Sequence, residues 1–239
     1  MQIRSFHTPS DIHQQDVGEA VRFKTDIDPL IECFKQHGRS VRLARHQKLG
    51  IDPKHPDKLF LVSCGLVHVG ASLGTGRLLL GLCRGGDIIG ANCLMSLPTI
   101  EARAAEPTEL LEMSMSEVEA LCPTAADTGL RLRELRRTED LARHALMLGR
   151  MSGDERLAYF LFHEAQRDTS AETTRLELDL GMSRSDIADY LALNPDTLSR
   201  IMARFRRTGV ILASSRRTIT VDLERLQELM PIGVGSSRL

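Results

Sequence analysis

In the segment NPDTLSRIMARFRRTG, residues 194 to 209, Asp196, Arg200, Ala203 and Arg207 recur at helical spacing, with Ser199 beside them. On an α-helix that spacing gathers a carboxylate, a hydroxyl and two guanidinium groups on one face. The face is short at its start, small in its middle at Ala203 and basic toward its end. Those properties let a helix N-terminus enter a DNA major groove while its flanks meet phosphates. A merely solvated surface would display the same charges, so the elements around the segment have to decide.

Leu198, Ile201, Met202 and Phe205 fall on the opposite stripe and predict a face buried in a core. Asn194 is a favoured N-cap, Pro195 suits the first helical position because its missing N–H would be unpaired there, and Gly209 marks the stop. Upstream, Ser183 and Asp186 form a cap for a preceding helix whose Ile187, Ala188 and Leu191 face inward, and the turn ALN joins the two. Downstream, VILASSRRTITV reads as two β-type runs around a basic turn. Between Ser183 and Arg217 seven arginines stand against three aspartates, a local balance of +4 in a chain whose formal net charge is -1. Together these features predict a winged helix-turn-helix.

The chain has 239 residues, 42% hydrophobic and 26% charged, which predicts a globular protein with room for two domains. No run approaches the roughly 20 apolar residues that cross a bilayer, and the start MQIRSFHTPSDIHQQD lacks a signal-peptide core, so a cytoplasmic protein with no membrane partner is expected. Five cysteines, Cys33, Cys64, Cys83, Cys93 and Cys122, lie at wide gaps without a C-x-x-C pair, and buried reduced thiols are expected rather than disulfides or a metal site. Residues 1–25 read as a polar arm. DPLIECFKQHG predicts a short helix stopped by Gly38. From about Val41 to Met115, short runs such as KLFLVS, LVHVGAS, RLLLGLC and ELLEMSM alternate with glycine turns and predict a small antiparallel barrel or sandwich. SEVEAL predicts a helical turn with a capping box from Ser116 to Glu119.

Beyond Pro123 comes a helix of about 25 residues. It carries one apolar row through Leu132, Leu135, Ala142 and Leu146, and a second through Leu130, Leu141, Ala145 and Leu148. Such a helix is too long to be buried in so small a barrel. Either it packs on a partner copy, through Leu132, Leu135, Leu141, Ala142, Ala145 and Leu146, or it packs back on its own barrel.

The segment MSRSDIADYLALNPDTLSRIMARFRRTGVI resembles the helix-turn-helix signature of the CRP/FNR superfamily of bacterial transcription regulators, and DERLAYFL resembles the start of that family's DNA-binding domain. SCGLVHV and LCRGGDIIG resemble turns of its cyclic-nucleotide-binding-type β-roll, and the long helix sits where the family dimerises. The resemblance implies an α+β chain: a flexible arm at 1–25, a β-roll at 26–122, a dimerisation helix at 123–152 and a winged helix-turn-helix at 153–239. It implies a homodimer on double-stranded DNA that engages RNA polymerase, an activator rather than an enzyme.

Where family members read a TTGA-type half-site with E-x-x-S-R, this chain has Asp196, Thr197, Leu198, Ser199 and Arg200. By that resemblance Arg200 would donate to guanine O6 and N7, Asp196 would accept from a cytosine amine, and Ser199 would reach a thymine or a phosphate. Pro195 lies among the base-facing positions but has no N–H to offer. Phosphate contacts are expected from Ser183, Arg184, Thr197, Arg204, Arg207, Arg216 and Arg217. Ala192 stands where the family usually has glycine in the turn, and would be strained if that turn needs a positive φ.

No cofactor or metal is expected. A cyclic-nucleotide site would need a Glu and an Arg where the chain has Ala91 and Pro98-Thr99, with Arg103 displaced. An iron–sulfur cluster needs four thiolates, and Cys33 alone precedes the roll. Haem would need an axial ligand such as His68 or Cys83, each unaccompanied by any motif. A cupin-type metal barrel would need an H-x-H pair, and LVHVG supplies one histidine. These absences make the FixK-type branch, which lacks the cluster, the nearest match, and it implies genes for oxygen-limited metabolism.

Overall fold

The computed structural model describes residues 28–50, 54–74, 76–90, 100–167, 174–215 and 217–230. The arm at 1–25, and Ala91, Cys93, Pro98, Thr99 and Arg216, lie outside the described residues.

Helix α1 (Pro29–His37) begins at Asp28, whose carboxylate accepts from the N–H groups of Leu30 and Ile31 at 3.0 and 3.4 Å. It ends at Gly38, where a Cβ would stand 2.5 Å from the Phe34 carbonyl oxygen. Seven strands follow: β1 (Arg39–Leu43), β2 (Lys58–Cys64), β3 (Val67–Leu73), β4 (Gly76–Cys83), β5 (Ile88–Gly90), β6 (Ile100–Ala104) and β7 (Thr108–Ser114). They form two antiparallel sheets, ordered β1-β7-β2-β5 and β4-β3-β6. Phe60, Val62, Leu110 and Ile89 of the first sheet meet Val67, Val69, Ala102 and Ala104 of the second in one core. On the outer face of the first sheet, Leu59 and Leu61 pack with Leu30, Phe34, Met113, Val118 and Ala126. Both faces of β2 are therefore buried, which explains why KLFLVS reads as an unbroken apolar run rather than an alternating one.

Helix α2 (Met115–Leu121) has its capping box at Ser114 and Glu117, two residues before the expected Ser116 and Glu119. The S-x-x-E pattern occurs in both frames, and the pairing of Ser114 with Lys58 carries strand β7 as far as Ser114, which selects the earlier one. Helix α3 (Pro123–Arg150) follows as 28 residues, about 42 Å at 1.5 Å per residue. Helix α4 (Gly153–Arg167), strand β8 (Arg175–Asp179), helices α5 (Arg184–Leu191) and α6 (Pro195–Arg207), strands β9 (Ile211–Ser214) and β10 (Thr218–Asp222) and helix α7 (Leu223–Glu228) complete the chain. β8, β10 and β9 form a three-stranded antiparallel wing sheet. The C-terminal core joins Leu157, Phe160, Leu161, Ile187, Leu191, Leu198, Met202 and Phe205 to Met147 and Met151 at the end of α3, to Leu79 of β4, and to Leu66 and Ala105 in the connections β2–β3 and β6–β7.

Candidate nucleic-acid interface

Helix α6 starts where Asn194 accepts from the N–H of Asp196 at 2.9 Å, with Pro195 as its first residue. It stops at Thr208, followed by Gly209 with φ of 73°. Leu198, Ile201, Met202 and Phe205 are all buried, so the apolar stripe anchors the helix. The opposite ridge is open: Pro195, Asp196, Ser199, Arg200, Ala203 and Arg207 are exposed, and Thr197 is half-buried. Arg200 makes one long hydrogen bond, from its Nε to the Asp196 carbonyl oxygen at 3.4 Å, and its guanidinium otherwise stays available at the surface.

Helix α5, which sets the angle of α6, is pinned at both ends. At its start the Ser183 hydroxyl accepts from the N–H of Asp186 at 3.2 Å and the Asp186 carboxylate accepts from the N–H of Ser183 at 3.1 Å. Burial pushes the Asp186 carboxyl up, but the Ser183 hydroxyl, His68, the Ser183 amide and Arg77 together hold it below its ordinary value. At its end Ala192 adopts the left-handed conformation, φ 50° and ψ 47°, and the N–H of Leu193 closes on the Ala188 carbonyl at 2.9 Å. The turn does need a positive φ, and an alanine carries it.

This arrangement is shared with known proteins. Residues 155–229 match the Crp-like helix-turn-helix domain. The chain is 26% identical over 209 residues to the transcriptional regulatory protein Btr of Bordetella pertussis, covering 86% of this chain and 85% of that one. It is 29% identical over 205 residues to the nitrogen fixation regulation protein FixK of Azorhizobium caulinodans, covering 80% and 79%. The solved structure of FixK2 from Bradyrhizobium japonicum superposes with a TM-score of 0.70 at 25% identity, covering 82% of this chain and 99% of that one. Residues 155–229 are thus a Crp-like helix-turn-helix domain, and along most of its length the chain is similar to transcription regulators of the FixK and Btr type.

The helix-turn-helix is the DNA-binding part of this regulator, and the relatives it resembles are transcription regulators rather than enzymes. The residues expected at phosphates have unequal surroundings. Arg207 is exposed. The Ser183 hydroxyl is occupied with Asp186 and Ser185 at 2.6 and 2.8 Å. Arg184 is half-buried and turns its guanidinium onto the Met202 thioether, where burial and the neighbouring Arg206 lower its pKa. Arg204 is paired with Asp154 at the start of α4. Arg217 is paired with Glu106 of the β-roll and lies 3.7 Å from Asp179.

Two arginines not singled out from sequence hold the scaffold. Arg206 donates from Nε and Nη2 to the Ser214 hydroxyl at 3.2 and 3.0 Å, bracing α6 against β9. Arg156 donates to the carbonyls of Met151, Leu191 and Leu148 at 2.9, 3.0 and 2.8 Å, fastening the end of α3 to the end of α5. His144 adds to that junction, its Nε2 within 2.8 Å of the Tyr190 carbonyl and its ring stacked 4.4 Å from the Tyr190 ring. Nothing in the local sequence around Arg156 marks it, because two of its acceptors belong to segments that fold onto it.

The long helix resolves its two apolar rows. Leu130 packs against the α1 cluster and Leu148 against the C-terminal core. Leu132, Leu135, Leu141 and Leu146 are 38%, 62%, 44% and 49% exposed, and Ala142 and Ala145 are exposed between them. The expectation of buried thiols holds in part: Cys33 is buried, Cys83 and Cys122 are half-buried, and Cys64 is exposed, because β2 ends there at the surface. His68 is buried, with its Nε2 lacking a hydrogen-bond partner and its pKa pushed down to about 4, first by burial and against the pull of Asp186. Burial pushes the Cys83 thiol up to about 12. Among the described residues no group of three or more His, Cys, Asp or Glu is placed to hold a metal ion, and no helix is long and apolar enough to cross a membrane.

Proposed function

We propose that this protein is a cytoplasmic activator that binds a TTGA-type palindrome as a homodimer, engages RNA polymerase and controls genes for oxygen-limited metabolism. Arg200 reads guanine O6 and N7, Asp196 accepts from cytosine, and Ser199 contacts a thymine or a phosphate, with Pro195 packed against the bases. Asp196 is a methylene shorter than glutamate, so its contact is looser or carried by a water. Thr197, Arg207, Arg216 and the Ser183 end of α5 meet phosphates, as do Arg184, Arg204 and Arg217 once released from other contacts.

The observation that carries this reading is the open ridge of α6, with Asp196, Ser199 and Arg200 exposed above a fully buried stripe. The similarity to FixK supports the physiological assignment. The homodimer rests on α3: its exposed leucines would form a large apolar strip on a monomer, and a second copy across a two-fold axis covers it. The chain then divides into the arm at 1–25, the roll at 26–122, the dimerisation helix at 123–152 and the DNA-binding domain at 153–239.

The test compares fluorescent duplexes carrying TTGA-N6-TCAA, one scrambled half-site, or both scrambled, at about 0.15 M salt. Tightest binding to the full palindrome, an intermediate loss with one half-site removed and weak binding to the scrambled duplex are expected. Equal affinity for all three contradicts the proposal.

A further inference from the structure

The β-roll touches the DNA-binding domain at the groups that should face phosphate. At the tip of the wing, the Arg217 guanidinium donates from Nη2 to the Glu106 carboxylate, in the turn between β6 and β7. That pairing, and then Asp179, raise the Arg217 pKa. At the start of α5, Arg77 on β4 donates from Nε to Asp189 at 2.9 Å and from Nη2 to Asp186. Asp186 is also the acceptor that completes the Ser183 cap. His68 on β3 is 4% exposed beside this cluster, its Nδ1 3.7 Å from Asp186.

We propose that Glu106 of the roll forms an autoinhibitory clasp, which holds Arg217 in a closed arrangement and competes with DNA phosphate for it, while Arg77 docks α5 on the roll through Asp186 and Asp189. The inference rests on the reading of Arg217 as a phosphate contact. Three physical points support it. A guanidinium saturated by a carboxylate presents less charge to a second anion, so Glu106 and a phosphate oxygen are alternative partners for one side chain. An ion pair as exposed as this one is weak, with Arg217 53% and Glu106 26% exposed, so a polyanion can displace it. Beside this contact the buried His68 Nε2 has no hydrogen-bond partner, a cost in free energy that the closed arrangement carries. The reading ridge of α6 stays uncovered throughout, so the clasp tunes affinity through the backbone anchors and leaves base recognition intact.

The test is a two-residue cycle on the full-length protein: wild type, Glu106→Gln, Arg217→Gln and the double variant, each titrated onto the palindromic and the scrambled duplex. Glu106→Ala serves as a second release variant, and circular dichroism confirms folding of each. Releasing one exposed ion pair predicts binding tightened about two- to fivefold on both duplexes for either Glu106 variant. Arg217→Gln weakens binding to both, and Glu106→Gln then has no effect in the Arg217→Gln background. A wild type that binds while neither Glu106 variant binds more tightly overturns the clasp alone. A wild type that binds neither duplex overturns the DNA reading itself, and the proposal with it.

Discussion

Ala192 is the residue at which the turn between α5 and α6 stores strain, and replacing it with glycine should stabilise the DNA-binding domain. Its φ of 50° and ψ of 47° put the Cβ of an L-residue against its own carbonyl, at a cost of about 1–2 kcal/mol that glycine avoids. Glycine gives back about 0.4–1 kcal/mol through its greater freedom in the unfolded chain. The net gain is about 0.5–1 kcal/mol, and no contact is lost because Ala192 is exposed. For a unit the size of the matched 75 residues, 155–229, that raises Tm by about 3–6 °C. The opposite change, Ala192→Val, sets a branched side chain in the same conformation and should lower stability by at least 1 kcal/mol, a rough figure. The assay is thermal unfolding followed by circular dichroism at pH 7, with DNA affinity measured alongside to show that the turn keeps its shape. A glycine variant no more stable than wild type would refute the left-handed turn and, with it, the angle at which α6 is presented.

Leu135→Glu and Leu146→Glu place charges in the exposed strip of α3 and should turn a dimer near twice 26.6 kDa into a folded monomer by light scattering; an unchanged mass would send the dimer interface elsewhere. His68 adds a pH dependence whose sign is fixed by its depressed pKa. The unfolded histidine takes up a proton near pH 6.5 and the folded one near 4, so its contribution is intact above 6.5 and lost as pH falls toward 4. The loss amounts to about 3 kcal/mol over that window. His144 and His163, depressed by burial, act in the same direction. A His68→Leu variant should show a shallower fall in urea-unfolding stability between pH 6.5 and 4; the same slope as wild type would contradict the burial of its neutral ring.

Helix α6 was legible because its signals are local: a cap, a proline, a terminating glycine and an apolar stripe within 16 residues of sequence. The strands with continuous apolar runs, β2, β3, β4 and β7, were equally plain. β1 and β8 were not, because each buries one residue, Leu43 and Leu178, among polar neighbours. β6 was hidden because its buried positions are the small residues Ala102 and Ala104. The fates of the arginines were illegible for a different reason. Arg184 and Arg204 find Met202 and Asp154 through the packing of helices within the DNA-binding domain, and Arg217 finds Glu106, 111 residues away, through the packing of the roll on that domain, so none of these partners is set by spacing. The two apolar rows of α3 could not be ranked until α1 and the C-terminal core had claimed Leu130 and Leu148.

The most direct test of the whole account is Arg200→Ala, titrated onto the TTGA palindrome and a scrambled duplex under identical salt. Removing a guanidinium that pairs with guanine should cost about 1–3 kcal/mol per half-site on the palindrome and little on the scrambled DNA, flattening the preference between them. Equal losses on both duplexes would make Arg200 a phosphate clamp, and no loss on either would leave the exposed ridge of α6 without its role.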